Sequence, residues 1–131
     1  MTNWKEIFNK NFLVELDKLE KLFNTESMDK IEIIKSLRET LNSSTKLLQA
    51  YLNFCGIYPG TPLLIIKMAY YDEVIEDGQA WINLHYLFKN NSDDNSIAIS
   101  DFIDKHFSKR YIEIFKQLES YILHEMEVYS E

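Results

Sequence analysis

The chain has 131 residues, of which 46% are apolar, three are glycine and two are proline. That is one domain's length, rich enough in apolar side chains to bury a core and too poor in turn residues for an all-β protein. A formal net charge of −7 works against non-specific binding to nucleic acid or to an anionic membrane, while leaving room for a local basic site.

Helical periodicity begins at once. Trp4, Ile7, Phe8, Phe12, Leu16, Leu19 and Phe23 fall on one stripe, with Lys5, Lys10, Lys18 and Lys21 mostly off it. The pattern predicts an amphipathic first helix from about Asn3 to Asn24. A polar break follows, Asn24 to Ser27, and Ser27 is placed to cap a second helix from Met28 to Cys55.

That second helix is the stretch the others must pack around. Ile34, Leu37, Leu41, Ser44, Leu48, Tyr51 and Cys55 recur in steps of three and four, so one apolar face runs down its length. Ser43 and Ser44 put small side chains midway, where a neighbouring helix can approach closely. Cys55 is the chain's one cysteine, so no intrachain disulfide exists. Its place on the stripe reads as a small buried hydrophobe in a reducing compartment.

Gly56 is a natural left-handed stop, with Pro59 just beyond it. Thr61-Pro62 then opens a third helix to about Tyr71, with Thr as cap and Pro at the first helical position. Its residues are almost all apolar, which predicts deep burial. Asp72 to Gly78 reads as an acidic turn, and Asp77 or Gly78 opens a fourth helix to about Lys89. Trp81, Leu84, His85 and Phe88 form that helix's apolar face.

Asn90 to Ser96 is a loop by composition. Helical spacing resumes from Ile97 through Phe102, Ile103, His106 and Phe107, then Tyr111, Ile114, Phe115, Leu118, Tyr121 and Ile122. A bend near Phe107-Ser108 would divide this last helix. The acidic tail, Glu125 to Glu131, is expected to fray. The fold class is all-α: an up-and-down bundle of five helices, six if the last one breaks, in a single domain over 1–131.

Met1 to Phe12 carries no signal-peptide core. The longest uncharged run, Leu47 to Ile66, is broken by Gly56, Pro59, Gly60 and Pro62 and cannot be one membrane-spanning helix. A cytoplasmic protein with no membrane partner is expected.

Few side-chain constellations carry chemistry. Glycines at 56, 60 and 78 make neither a phosphate loop nor a dinucleotide fingerprint, and no Cys/His spacing fits zinc. No cofactor or metal is predicted. Asp72, Glu73, Glu76 and Asp77 are dense enough to hold Mg²⁺, but acids at a helix start are explained more simply as a solvated capping turn. His85 lies on an apolar face, where a half-buried imidazole is the plainer account and a ligand role the sharper one. His106 and His124 fall at boundary positions. Tyr70, Tyr71, Trp81 and Tyr86 crowd the third and fourth helices. Core packing explains most of them, and an exposed ring there could stack on a base or sugar.

Ala50 to Trp81, AYLNFCGIYPGTPLLIIKMAYYDEVIEDGQAW, resembles the substrate-binding subunit of two-component minimal nucleotidyltransferases, within the HEPN superfamily. That family is similar in fold to the helical C-terminal domain of kanamycin nucleotidyltransferase. The phrases that carry the resemblance are Tyr51-Leu52, Gly56-Ile57, the turn from Pro59 to Pro62, the helix Leu63 to Tyr71, and Asp77-Gly78-Gln79-Ala80-Trp81. Helix order agrees from about Leu13 to Tyr121.

The resemblance implies a homodimer working beside a separately encoded small nucleotidyltransferase, in a toxin–antitoxin-like setting. Many relatives are ribonuclease toxins with an Arg, a polar neighbour and a His at the end of the fourth helix. Here that stretch reads Leu87-Phe88-Lys89-Asn90-Asn91-Ser92-Asp93-Asp94. Lys89-Asn90 echoes the first pair, but aspartates stand where the His belongs, and they would repel a phosphate.

The expected function is therefore a non-catalytic substrate-binding or partner subunit, with His85, Tyr86, Lys89 and Asn90 as candidate substrate contacts and Trp81, Leu84 and Phe88 as candidate dimer contacts. Two alternatives stand beside it. One is a ribonuclease with an atypical site using Lys89 and His85; the other is a dimeric scaffold without ligand.

Overall fold

A computed structural model describes residues 3–24, 29–92, 96–106 and 109–130, without the side chains of 104–106 and 109. Among the described residues every regular element is helical. In chain order they are α1 (Trp4–Ile7), a π-helical turn (Phe8–Phe12), α2 (Leu13–Phe23), α3 (Lys30–Phe54), α4 (Pro62–Tyr71), α5 (Gly78–Asn90), α6 (Ile97–His106) and α7 (Lys109–Val128). The expected all-α bundle is what forms. The bend anticipated at Phe107-Ser108 falls outside the described residues.

The first rod is helical throughout, since Ile7, Phe12 and Leu13 at its internal junctions all keep right-handed helical angles. The π turn has a cause in the sequence. Trp4, Phe8, Phe12 and Leu16 are spaced by four, and each is at most 3% exposed. Four α-helical residues advance about 40° past a full turn, so three such steps would carry Leu16 off the face that holds Trp4. A wider turn with i→i+5 bonding falls short of a full turn instead and swings the stripe back. The Phe8 and Phe12 rings then stack at 5.9 Å.

α3 starts one cap later than the sequence suggests. Asp29 accepts from the amides of Ile31 (3.0 Å) and Glu32 (3.5 Å), while the expected cap, Ser27, lies outside the described residues. The helix ends as predicted. Gly56, at φ +88°, lets the Ile57 amide reach Leu52 O at 2.8 Å and its own amide reach Asn53 O at 3.0 Å, a Schellman closure. One expectation fails here: Cys55 is exposed. As the C-cap residue it sits where the chain turns off the helix, past the last buried residue of the stripe.

The rest of the stripe is the core. Ile34, Leu37, Leu41, Ser44, Leu48 and Tyr51 are all buried. The small residues act as expected: the Thr40 hydroxyl donates to Ser36 O (2.7 Å) within α3, lies 3.2 Å from Glu15 O on α2, and Ser44 donates to Thr40 O at 2.8 Å. α1 packs on the end of α3, with Trp4 edge-on to Tyr51 at 5.2 Å, so the first rod and α3 run antiparallel.

α4 is less buried than its composition predicts. Ile65, Ile66 and Ala69 face inward, but Leu64, Met68 and Tyr71 share an outer face, and Tyr71 is 85% exposed. A short helix touching the bundle on one side can bury only one side. The turn after it is also not simply solvated. Val74 and Ile75 are buried, and Gln117 of α7 clamps them, donating to Val74 O (3.1 Å) while accepting from the Glu76 amide (3.1 Å). Glu73 closes α4 at φ +62°, the job Gly56 does for α3. Asp77 caps α5 through Ala80 N (3.2 Å) and holds Arg110 of α7 in a two-pronged ion pair at 2.8 and 3.0 Å.

α7 does not fray as expected. Tyr129 packs edge-on to Phe54 at 4.9 Å, and its carbonyl accepts from Lys5 Nζ at 2.8 Å. α7 thereby closes the bundle against α1 and α3. No helix among the described residues is long and apolar enough to cross a membrane.

Because Ser44 is fully buried, Ser44→Leu has no room. It is expected to destabilise the chain by about 1–3 kcal/mol through overpacking, read as a lowered urea midpoint with an unchanged denaturant slope.

Candidate functional site

The polar face of α3, opposite its apolar stripe, is open. Arg38, Asn42, Thr45, Lys46 and Gln49 recur along it at helical spacing and floor a groove of about 470 Å³. One wall is α5, through His85, Phe88 and Lys89; the other is the entry to α4 at Gly60 to Pro62. Arg38, Lys46 and Lys89 supply positive charge, and no carboxylate is among the described lining residues. In a chain of net charge −7 this is a local reversal of sign.

Each cation is positioned by its element. The Arg38 guanidinium lies over the Phe88 ring, 4.6 Å from its centre, and donates to Asn91 O at 3.2 Å. Asn91 in turn donates to Leu87 O at 2.9 Å, closing the end of α5. Lys89 is in the last turn of α5, with its ammonium 5.9 Å from the Tyr86 ring. Among the described residues neither Lys46 nor Lys89 has a carboxylate at ion-pair distance. Across the groove Thr61 caps α4, accepting from Leu64 N at 3.2 Å with Pro62 in the first turn. The positive end of that helix adds to the same field.

His85 is half-buried. Burial first, and the Lys89 ammonium second, hold its imidazole below the ordinary histidine value. At neutral pH it is therefore uncharged and can give or take a hydrogen bond without adding charge. The groove as built presents the Lys46 and Lys89 ammoniums beside an engaged Arg38, with a neutral imidazole at its edge.

Of the candidate substrate residues, His85 and Lys89 share this groove. Tyr86 is half-exposed beside them, edge-on to His85 at 5.1 Å, but lines no part of it. Asn90 is exposed and outside it; the neighbouring Asn91 does the bonding. The candidate dimer contacts offer almost no surface to a second copy. Trp81 and Leu84 are fully buried and Phe88 is 8% exposed, with Trp81 edge-on to Phe115 at 5.2 Å. They belong to the chain's own core. Asp77, from the acidic turn, spends its carboxylate on Ala80 and Arg110.

Arg38, Asn42, Thr45 and Lys46 were missed because they lie more than 35 residues before His85. One sequence signal does mark them. No acidic residue occurs from 40 to 71, although acids are frequent elsewhere. Compared with known proteins, the chain matches no family model and no curated protein.

An anion in the groove raises the imidazole pKa of His85 above its depressed value, so binding takes up a proton and tightens as pH falls through the bound-state value. Sulfate, which does not itself titrate in this range, is expected to bind more tightly at pH 5.5 than at pH 7.5. His85→Gln should flatten that dependence, measured by calorimetric titration at both values.

Proposed function

We propose that this chain is a non-catalytic substrate-binding subunit that works beside a separately encoded small nucleotidyltransferase. The observation that carries the reading is the groove between α3, α4 and α5: Lys46 and Lys89 beside Arg38, with no carboxylate among its described lining residues, in an acidic chain. The stretch from Ala50 to Trp81 that carries the resemblance includes both the α4 wall and the start of α5. A partner that holds nucleotide and metal would find in this groove a place where a substrate's anionic group is held still. In this reading the subunit assembles as a homodimer. Its exposed apolar surface for a second copy is the outer face of α4, with Leu64, Met68 and Tyr71, rather than the buried Trp81, Leu84 and Phe88.

The test is co-expression with a nucleotidyltransferase encoded next to it, followed by size-exclusion chromatography with light scattering. A complex containing both chains is the expected result. Separate elution of the two at micromolar concentration counts against the pairing.

One observation favours a second reading, a HEPN-type ribonuclease with an atypical site. His85 and Lys89 lie one turn apart in the same groove, and the imidazole is kept unprotonated near neutrality, as a general base must be. Purified protein would then degrade RNA, and both Lys89→Ala and His85→Ala would slow it by about a hundredfold or more. Equal rates in all three proteins would dispose of this alternative.

A further inference from the structure

A second cavity lies beside the groove and differs from it in character. It measures about 610 Å³ and opens between the last turns of α3 and α1. Small-molecule sites are typically about 300–1,000 Å³, apolar on most sides, with a few placed polar groups. Here three rings, Trp4, Phe54 and Tyr58, supply apolar surface, and Lys5 and Lys46 supply charge. No carboxylate is among the described lining residues.

The rings differ in what already covers them. Trp4 is buried, edge-on to Tyr51 at 5.2 Å and tilted against Phe54 at 5.6 Å. Phe54 is still 49% exposed, and Tyr58 is 73% exposed with no ring or hydrogen-bond partner among the described residues. Two aromatic side chains therefore meet water at one cavity, where a flat apolar ligand would cover both.

The two lysines differ as well. Lys5 donates to Tyr129 O at 2.8 Å and its ammonium lies 5.6 Å from the Trp4 ring centre. Lys46 has no carboxylate at ion-pair distance among the described residues. It precedes Phe54 by eight residues of α3, about 12 Å of rise. The C-terminal end of α3, at Phe54, carries the negative pole of the helix and disfavours an anion. Negative charge belongs two turns back, at Lys46, and one uncommitted ammonium matches one negative charge.

From this polarity we infer that the cavity binds a small aromatic monocarboxylate, its ring against Phe54 and Tyr58 and its carboxylate on Lys46. The ammonium rides on a flexible four-carbon stem, so a carboxylate on a two-ring skeleton reaches it from the aromatic end. Gln49, three residues on from Lys46, lines the same wall and offers an amide N–H to that carboxylate. Lys46 and Gln49 also border the groove, but the three rings belong to this cavity alone. The site stands whether or not the chain pairs with a nucleotidyltransferase.

The experiment is calorimetric titration of the full chain with 2-naphthoate, with its uncharged analogue 2-naphthalenemethanol, and with cyclohexanecarboxylate, which keeps the charge and lacks the flat ring. 2-Naphthoate is expected to bind about tenfold more tightly than either. Tyr58→Ala should weaken 2-naphthoate about tenfold. Lys46→Gln should bring it to the level of the alcohol and leave the alcohol's own binding unchanged. Lys89→Ala, in the wall of the groove, should leave 2-naphthoate binding as it was. All three side chains are exposed, so the fold is kept, and far-UV circular dichroism verifies it. In a nitrogen–proton correlation spectrum the Trp4 indole signal is expected to move during titration, while that of Trp81, packed on Phe115 in the core, stays. No heat at millimolar 2-naphthoate, either analogue bound as tightly, a silent Tyr58→Ala, an unmoved Trp4 signal, or Lys89→Ala as damaging as Lys46→Gln overturns the inference.

Discussion

α3 has two faces that must be satisfied in opposite ways, and the molecule is arranged by that requirement. A helix of 25 residues with a continuous apolar stripe gains most of its stability from burying that stripe, not from its own backbone bonds. Thr40 and Ser44 set how closely α2 can come, and their hydroxyls spend themselves on carbonyls within reach. A larger residue at either place would push the rods apart and open the Phe8, Phe12 and Leu16 layer. The other face of α3 is polar and stays uncovered along most of its length. The same helix is therefore both the core's central element and the floor of the candidate site, so the site inherits the core's rigidity.

The termini of the helices show how local chemistry is enough to stop a helix and where tertiary contacts take over. Gly56 closes α3 at no steric cost, because it lacks a Cβ. Glu73 closes α4 in the same left-handed conformation with a full side chain, which costs about 1–2 kcal/mol. Something must offset that. Val74 and Ile75 are buried directly after it, and Gln117 ties their backbone to α7 on both the donor and acceptor sides. Burial of that pair and its tie to α7 hold the turn in place. Asp77 adds the next tie: Arg110 lowers its carboxyl pKa chiefly by direct hydrogen bonding, aided by the Ala80 amide. The contact is on the surface, so it orients α5 against α7 more than it stabilises them.

How much of the molecule was legible in the sequence depends on the range of the interaction. Helices α3, α4 and α5 could be read because stripes, caps and stops act within a turn or two: Thr61-Pro62, Gly56 and Asp77 all sit where their chemistry requires. The π turn was written in the run of fours from Trp4 to Leu16, though a stripe search at 3.6 residues per turn passes over it. Burial on α4 was not legible, since a segment apolar on every side has no period to say which side faces in. The packing of Tyr129 on Phe54 is a contact across more than 70 residues, beyond the reach of any local pattern. His85 and Lys89 were found because they share one helix; Arg38 and Lys46 were not, because only the folded chain brings α3's polar face to α5.

The sign of the charge in the groove has consequences for selectivity. A chain of net −7 repels polyanions at long range, and at physiological ionic strength that repulsion is screened beyond about 8 Å. Phe88 and Ile65 wall the groove, but the Lys46 and Lys89 side chains are exposed, so their field also acts over about that distance. A small anion at the opening lies within that distance of Lys46 and Lys89, whereas most of a long nucleic acid lies beyond it and meets a chain of net charge −7. In the proposed reading, the groove favours a compact anion over an extended polymer. The neutral imidazole of His85 sharpens the preference, because it can share a hydrogen bond with a ligand that fits and contributes no charge to attract one that does not.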